Sequence, residues 1–384
     1  MQIEQKKWTL ESKWKCLTDV NDFSYSKEKN LVFVFGNRFQ LADPTRFEEI
    51  RAFYPNSDIL IASTSGEIIE ESVLDDSIVT TAVHFDRTDF EVSTVRIEAG
   101  DNSYEAGKKL ATSLKSEGLR HVFVLSDGQL VNGSELVKGL NEHLPKGVVT
   151  TGGLAGDGPR FEKTLVGYNH APSSGNIVGV GFYGENLSIG YGSIGGWDSF
   201  GPERVITKSK ENVLYELDGQ SALQLYKRYL GEKAEGLPGT ALLFPLSIRM
   251  EGEDKPLVRT VLAVDEEEQS MTFAGDVPEG AVARLMKANF DKLIDGAYDA
   301  ASESAVSFKE IKPELAILIS CVGRKLVLGP RVEEEVESVA EAIGQNTSIT
   351  GFYSYGEIAP FAGLMNCELH NQTMTITLFS ENKI

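Results

Sequence analysis

Three short stretches of the chain place a carboxylate directly after a glycine, at the end of an apolar or β-branched run. They are Ser63-Thr64-Ser65-Gly66-Glu67-Ile68, Thr151-Gly152-Gly153-Leu154-Ala155-Gly156-Asp157 and Gly351-Phe352-Tyr353-Ser354-Tyr355-Gly356-Glu357. A strand that ends in glycine and an acid gathers backbone N–H groups, hydroxyls and a carboxylate at the rim of a sheet, where α/β proteins bind ligands. Glu67, Asp157 and Glu357 could each hold a ligand ammonium or hydroxyl. The ordinary role of such an acid is to bond the N–H groups of its own turn. Because the turn recurs, at least one copy is expected to line a pocket. Arg324, in Ser320-Cys321-Val322-Gly323-Arg324, follows another strand end and offers a planar guanidinium suited to a carboxylate. The competing role is an internal ion pair with Glu357 or another acid. Arg324 and Glu357, with Tyr353, Tyr355 and Asn371, form the expected pocket: Arg324 would hold a carboxylate and Glu357 an ammonium, the two charges of a free amino acid. Arg259 is a weaker candidate for the same chemistry, since it can face solvent from a strand.

Other chemistry finds less support. Cys321 could be a nucleophile, but a thiolate needs a neighbouring base and no histidine is spaced to supply one. Its alternative role is a small buried residue at a strand end. The five histidines form no HxH or HxxxH pair, so zinc catalysis has no basis. A haem needs only one axial histidine, and His84 or His370, in or beside apolar strands, would be the candidates. The glycines between Thr151 and Gly158 lack the GxGxxG spacing and the following helix of a dinucleotide site. No GxxxxGK[ST], GxSxG or HExxH pattern occurs.

The formal net charge of −20 sets the protein against phosphate backbones and anionic membrane surfaces. The acids at 265–268 and 333–335 read as solvated faces. Three widely spaced cysteines give no disulfide framework or CxxC pair. Neither a signal peptide nor a long apolar span is present in the sequence, so a cytoplasmic protein without membrane contact is expected.

A strand at 31–35 precedes Asp43-Pro44, an N-cap followed by proline at the first helical position. Strands at 59–62, 121–125, 148–151, 315–320 and 349–352 alternate with helices at 102–115, 134–143 and 333–343. Gly36 and Gly66, Gly128 and Gly156, and Gly323 and Gly356 each bracket a strand-helix-strand unit of about 30 residues, the size of a βαβ crossover. Strands at 176–183 and 187–192 read as a hairpin, and 367–370 with 374–379 as a closing hairpin around 371–373. Residues 241–248, 257–264 and 270–274 read as strands, and 278–304 as one long helix. The fold class is α/β: two lobes of mixed β-sheet with helices, built on repeated strand-helix-strand-Gly-acid units. An N-terminal extension covers 1–30, a first domain 31–218 and a second 219–384.

The chain resembles FIST-domain proteins. The resemblance rests on the first two turns above together with 222–231 (Ala-Leu-Gln-Leu-Tyr-Lys-Arg-Tyr-Leu-Gly), Phe244-Pro245-Leu246, Gly275-Asp276-Val277-Pro278-Glu279-Gly280, Ser320-Cys321-Val322-Gly323-Arg324, the third turn through Ile358, and His370-Asn371-Gln372-Thr373. These occur in order over nearly the whole chain. The resemblance implies a bacterial, cytoplasmic sensory module of signal transduction that is not an enzyme. It would bind an amino acid or similar small molecule and regulate a separate protein such as a histidine kinase, a cyclic-di-GMP enzyme or a chemoreceptor. Some stand-alone members of the family are haem proteins that sense nitric oxide and regulate a histidine kinase in a two-component system. That is the second expectation here; a Cys321-dependent enzyme is the third.

Overall fold

Every residue of the strand Asn30–Gly36 is buried, so neither face of it is left for water. Its partner Asp58–Ser63 is parallel and almost as buried, and a parallel pair must be covered on both sides. In the computed structural model, which describes residues 1–18, 30–250, 256–308, 311–360 and 366–381, that requirement is met three times over. Ile78–His84 adds antiparallel to Asn30–Gly36. Leu119–Ser126 repeats the arrangement with parallel Val149–Leu154 and antiparallel Asn176–Tyr183. Leu315–Cys321 does so with Ser348–Ser354 and Met374–Glu381. Gln2–Thr9, Asp89–Arg96 and Leu187–Ile194 extend the three sheets.

The inner faces of all three sheets meet in one core. Phe33 meets Phe123 with ring centroids 5.5 Å apart, Phe35 meets Phe352 at 4.7 Å, and Phe182 meets Phe379 at 5.5 Å. Each contact joins a different pair of sheets and contributes about 1 kcal/mol beyond simple burial. The outer faces are covered by helices: Pro44–Phe53 on the first sheet, Ser103–Ser113 and Gly133–His143 on the second, Phe290–Ser304 and Val332–Ile343 on the third. Asp43, Asn102 and Asn132 start their helices by accepting N–H bonds, as N-caps do.

The segment after each Gly-acid turn leaves its own sheet. Glu67–Ile69 pairs with Ser348–Ser354, Gly356–Pro360 with Val149–Leu154, and Val166–Tyr168 with Asp58–Ser63. The exchange is cyclic: the first unit lends a strand to the third, the third to the second, the second to the first.

A fourth sheet is built wholly from residues 198–287, in the order Leu257–Arg259, Leu246–Arg249, Val282–Lys287, Asp198–Lys210, Val213–Leu217, Ser270–Phe273, Val261–Asp265. Helix Ala222–Leu230 packs its apolar face against it. This second lobe is inserted between Leu187–Ile194 and Phe290–Ser304. The fold is α/β with mixed sheets in two lobes. The expected division between residues 218 and 219 lies between two strands of the inserted sheet, Val213–Leu217 and Gln220–Ser221, and Leu187–Ile194 pairs with Met374–Glu381 across it. Among the described residues no helix is long and apolar enough to cross a membrane.

Several sequence expectations need correction. The strands expected as a hairpin at 176–192 diverge into different sheets, and so do those at 367–379. Local turn chemistry gave the bend between the arms but is blind to the strand exchange that separates them. The expected helix at 278–304 begins only after Asn289, which caps Phe290–Ser304. Before it, alternating burial puts Val282–Lys287 in a strand between Leu246–Arg249 and Asp198–Lys210. Residues 241–248 contain the end of a 3-10 helix, Gly239–Leu243, and only then a strand. The opening 1–30 segment is a hairpin over its described part, Gln2–Thr9 with Lys13–Cys16.

Candidate functional site

Because each turn precedes an exchanged strand, the three turns meet. Ser65 N–H donates to Tyr353 O at 2.8 Å, and Tyr353 N–H to Gly66 O at 2.9 Å. Gly156 N–H donates to Ser63 O at 2.8 Å, and Ser63 Oγ to Gly156 O at 2.8 Å. Tyr355 N–H donates to Leu154 O at 3.2 Å.

The three acids are brought to this junction but are turned inward. Glu67 accepts from Thr64 Oγ1 at 2.5 Å, Ser77 Oγ at 2.6 Å and Ser77 N–H at 3.2 Å. Glu357 repeats the pattern with Ser354 Oγ at 2.5 Å, Thr373 Oγ1 at 3.0 Å and Thr373 N–H at 3.3 Å. Burial pushes Glu67 up to about 7 and Glu357 up to about 8, against the pull of those hydrogen bonds. Asp157 is an ion-pair centre: Arg38 Nη1 lies at 3.1 Å and Arg160 Nε at 2.8 Å, and the N–H groups of Glu162 and Lys163 donate to it.

Arg324 is fully buried in the first turn of helix Val322–Leu328. Its Nε and Nη2 donate to Glu335 at 3.0 and 2.7 Å, and Nη1 and Nη2 to the carbonyls of Gly195 and Leu293. Tyr353 Oη and Ser320 Oγ donate to the other oxygen of Glu335 at 2.6 and 3.1 Å. The guanidinium thus makes an internal ion pair, with an acid that the sequence reading assigned to a solvated face. Glu335 lies three residues after Val332 and four before Val339, on the apolar side of its helix, and that spacing was the available signal. Arg259 is also buried rather than solvent-facing, donating to Asp276 O and Leu369 O between the lobes. Asn371 is buried and donates to His370 O at 3.0 Å. Cys321 is buried beside Glu357, and burial pushes its thiol well above the usual range. His84 bonds Asn30, and His370 bonds the carbonyl of Ala359. Burial pushes His370 down to about 4, so it is neutral at pH 7.

Among the expected residues, Arg259 lines a smaller cavity of about 460 Å³ and Tyr355 lines a larger one. This space, about 640 Å³, opens between the lobes at the carboxyl ends of the parallel strands, where open α/β sheets place ligands. The core supplies the loop 128–133, Phe161, Leu326 and Tyr355; the inserted lobe supplies Leu242, Leu262 and Phe273. The inserted-lobe wall lies far in sequence from the three Gly-acid turns; its Gly275 belongs to a stretch that carries the resemblance, but nothing in the sequence marked that stretch as part of a cavity. Phe161 stacks on Tyr355 with centroids 4.4 Å apart and planes 15° from parallel. Tyr355 Oη accepts from Phe161 N–H at 3.0 Å and donates to Gly158 O at 3.0 Å. An aromatic residue in the Gly-Pro-Arg-Phe loop directly after a Gly-acid turn was the clue to Phe161. Among the described residues no group of three or more His, Cys, Asp or Glu is placed to hold a metal ion.

The FIST N domain model matches residues 30–220 and the FIST C domain model residues 222–360. The chain belongs to the FIST family. FIST domains are sensory domains of signal transduction, and this FIST protein carries both parts. No curated protein matches the chain.

Proposed function

We propose that this FIST protein is the input component of a cytoplasmic signalling system. It binds a small organic molecule in the cavity between its lobes and regulates a separate polypeptide, such as a histidine kinase, a cyclic-di-GMP enzyme or a chemoreceptor. The observation that carries this reading is the placement of the cavity. Its two walls belong to different lobes, and it lies beside the junction where all three core units exchange strands. A ligand touching both walls has different contacts in open and closed arrangements, which is the requirement for shifting a conformational equilibrium.

The reading is not enzymatic. The Cys321 thiol is buried, held in its protonated form and adjacent to a carboxyl rather than to a base. Against haem in this cavity, its lining among the described residues holds no His, Cys or Met, its Tyr355 hydroxyl is bonded to Phe161 N–H and Gly158 O, and His84 and His370 are hydrogen-bonded inside sheets. A net charge of −20 keeps nucleic acid and anionic membranes out of the list of partners.

The test is a thermal-shift screen of metabolites on the wild type and on Gly239→Trp, which adds a large side chain at a wall position where an added Cβ meets nothing within 4 Å. A ligand that raises the melting temperature of the wild type alone supports the reading. Equal stabilisation of both proteins moves the site elsewhere. A stoichiometric Soret band on adding haem, lost on replacing His84 or His370, would make the protein a gas sensor instead.

A further inference from the structure

Resting on that cavity being the ligand site, we infer that its ligand is an uncharged, flat, largely apolar molecule that stacks on the Phe161–Tyr355 pair, and is not a free amino acid. The first ground is the composition of the wall. Among the described residues that line the cavity there is no Asp, Glu, Lys, Arg or His. A zwitterion moved into such a site would lose the hydration of two charges with nothing to replace it. The charged groups nearest in sequence are already committed. Asp127, before the Gly128 loop, accepts from the N–H groups of Gln129, Leu130 and Gly175. Arg160, before Phe161, is bound to Asp157. Asp276, after Gly275, accepts from Asn132 across the lobes at 3.1 Å. The other polar side chains on the wall are neutral amides: Asn132 already caps its helix and donates to Asp276, Asn212 already donates to Phe273 O, and Gln129 is a third amide able to orient a ligand carbonyl, hydroxyl or ring N–H without charge.

The second ground is how Phe161 is held. Its φ is 54°, the left-handed region, which a bulky aromatic residue rarely adopts. The loop around it is pinned by the four bonds to Asp157 and by the Phe161 N–H donated to Tyr355. Such a conformation persists only where the surroundings over-determine it, and it clusters at functional positions. Here its result is a partly exposed phenyl ring laid flat on a buried tyrosine at the cavity wall. That is a stacking platform for a planar ligand.

The test uses N-phenyl-1-naphthylamine, an uncharged aromatic probe whose fluorescence rises in apolar sites, with indole and L-tryptophan as competitors. The two competitors share a ring and differ by the charged amino-acid group. The wild type should bind the probe saturably at one site, indole should displace it and L-tryptophan should not. Gly239→Trp should abolish binding. Phe161→Gly should weaken it by roughly tenfold while the protein still melts cooperatively, because glycine's ease in the left-handed backbone offsets part of the lost stacking on Tyr355. No saturable probe binding, or displacement by L-tryptophan as effective as by indole, overturns the inference. Unchanged probe affinity in Phe161→Gly removes the stacking platform. An amino acid that stabilises the wild type and Gly239→Trp equally would also overturn it, while leaving a sensory role at another site intact.

Discussion

Arg324 and Glu335 lie 2.7 Å apart with neither side chain reaching solvent. The pair ties the start of helix Val322–Leu328 to helix Val332–Ile343, and through the Gly195 and Leu293 carbonyls to the strand and helix that flank the inserted lobe. Removing one partner strands the other charge in the interior, which costs about 3–5 kcal/mol. Arg324→Ala should therefore lose roughly that much stability in urea denaturation. The double variant Arg324→Met/Glu335→Leu, which removes both charges, should lose less than Arg324→Ala alone. A loss under about 1 kcal/mol for Arg324→Ala is what a solvated pair gives, and would show that the guanidinium is free to serve a ligand.

Glu67 and Glu357 make the junction of turns sensitive to pH. Both fold with raised values, about 7 and about 8, from an ordinary 4.5. Below the ordinary value both are protonated in folded and unfolded chains, and they have no effect on pH dependence. Between about 4.5 and 8 the unfolded chain has released protons that the folded one retains, so stability falls as pH rises. Glu67→Gln/Glu357→Gln keeps the shape and removes the titration. The difference in melting temperature between wild type and this double variant should drift against the wild type from pH 5 to pH 8. A flat difference would mean that both carboxylates are ionised in the fold at neutral pH.

The parallel units were legible because their signals are local. Buried runs such as Leu31 to Phe35, the Asp43-Pro44 start and the Gly-acid ends each sit within one element. The strand exchange was not legible, since three residues such as Glu67–Ile69 carry no mark of which sheet they join. The site was half legible for the same reason. Repetition of the turn pointed to the junction beside the cavity and to Tyr355, one of its lining residues. The acids it singled out fold inward, while the cavity wall comes from Phe161 and from an inserted lobe whose contact with the core is purely tertiary.

Cysteine reactivity separates a sensor from a thiol enzyme. Cys16 is exposed, whereas Cys321 and Cys367 are buried, with burial pushing Cys367 up to about 12 and Cys321 higher still. Thiolate is the reactive form. Iodoacetamide at neutral pH, followed by mass spectrometry, should label Cys16 in the folded protein and the other two only after unfolding. Rapid native labelling of Cys321 would restore the enzymatic alternative.

Gly156 is where the second turn meets the first, and it is glycine because of space. A Cβ there would lie 2.4 Å from Ser65 Oγ and 2.9 Å from Ser65 N. The hydroxyl can rotate away; the backbone nitrogen cannot, since its N–H is fixed to Tyr353 O in the third turn. Gly156→Ala should thus push the first turn against the third and cost about 1–3 kcal/mol, the range for overpacking a rigid site. Gly156→Ala/Ser65→Ala should recover only part of the loss. Gly239→Ala, where an added Cβ touches nothing within 4 Å, should stay within about 0.5 kcal/mol of wild type. If Gly156→Ala behaves like Gly239→Ala in urea denaturation, the three turns are not packed against one another as the hydrogen bonds between them require.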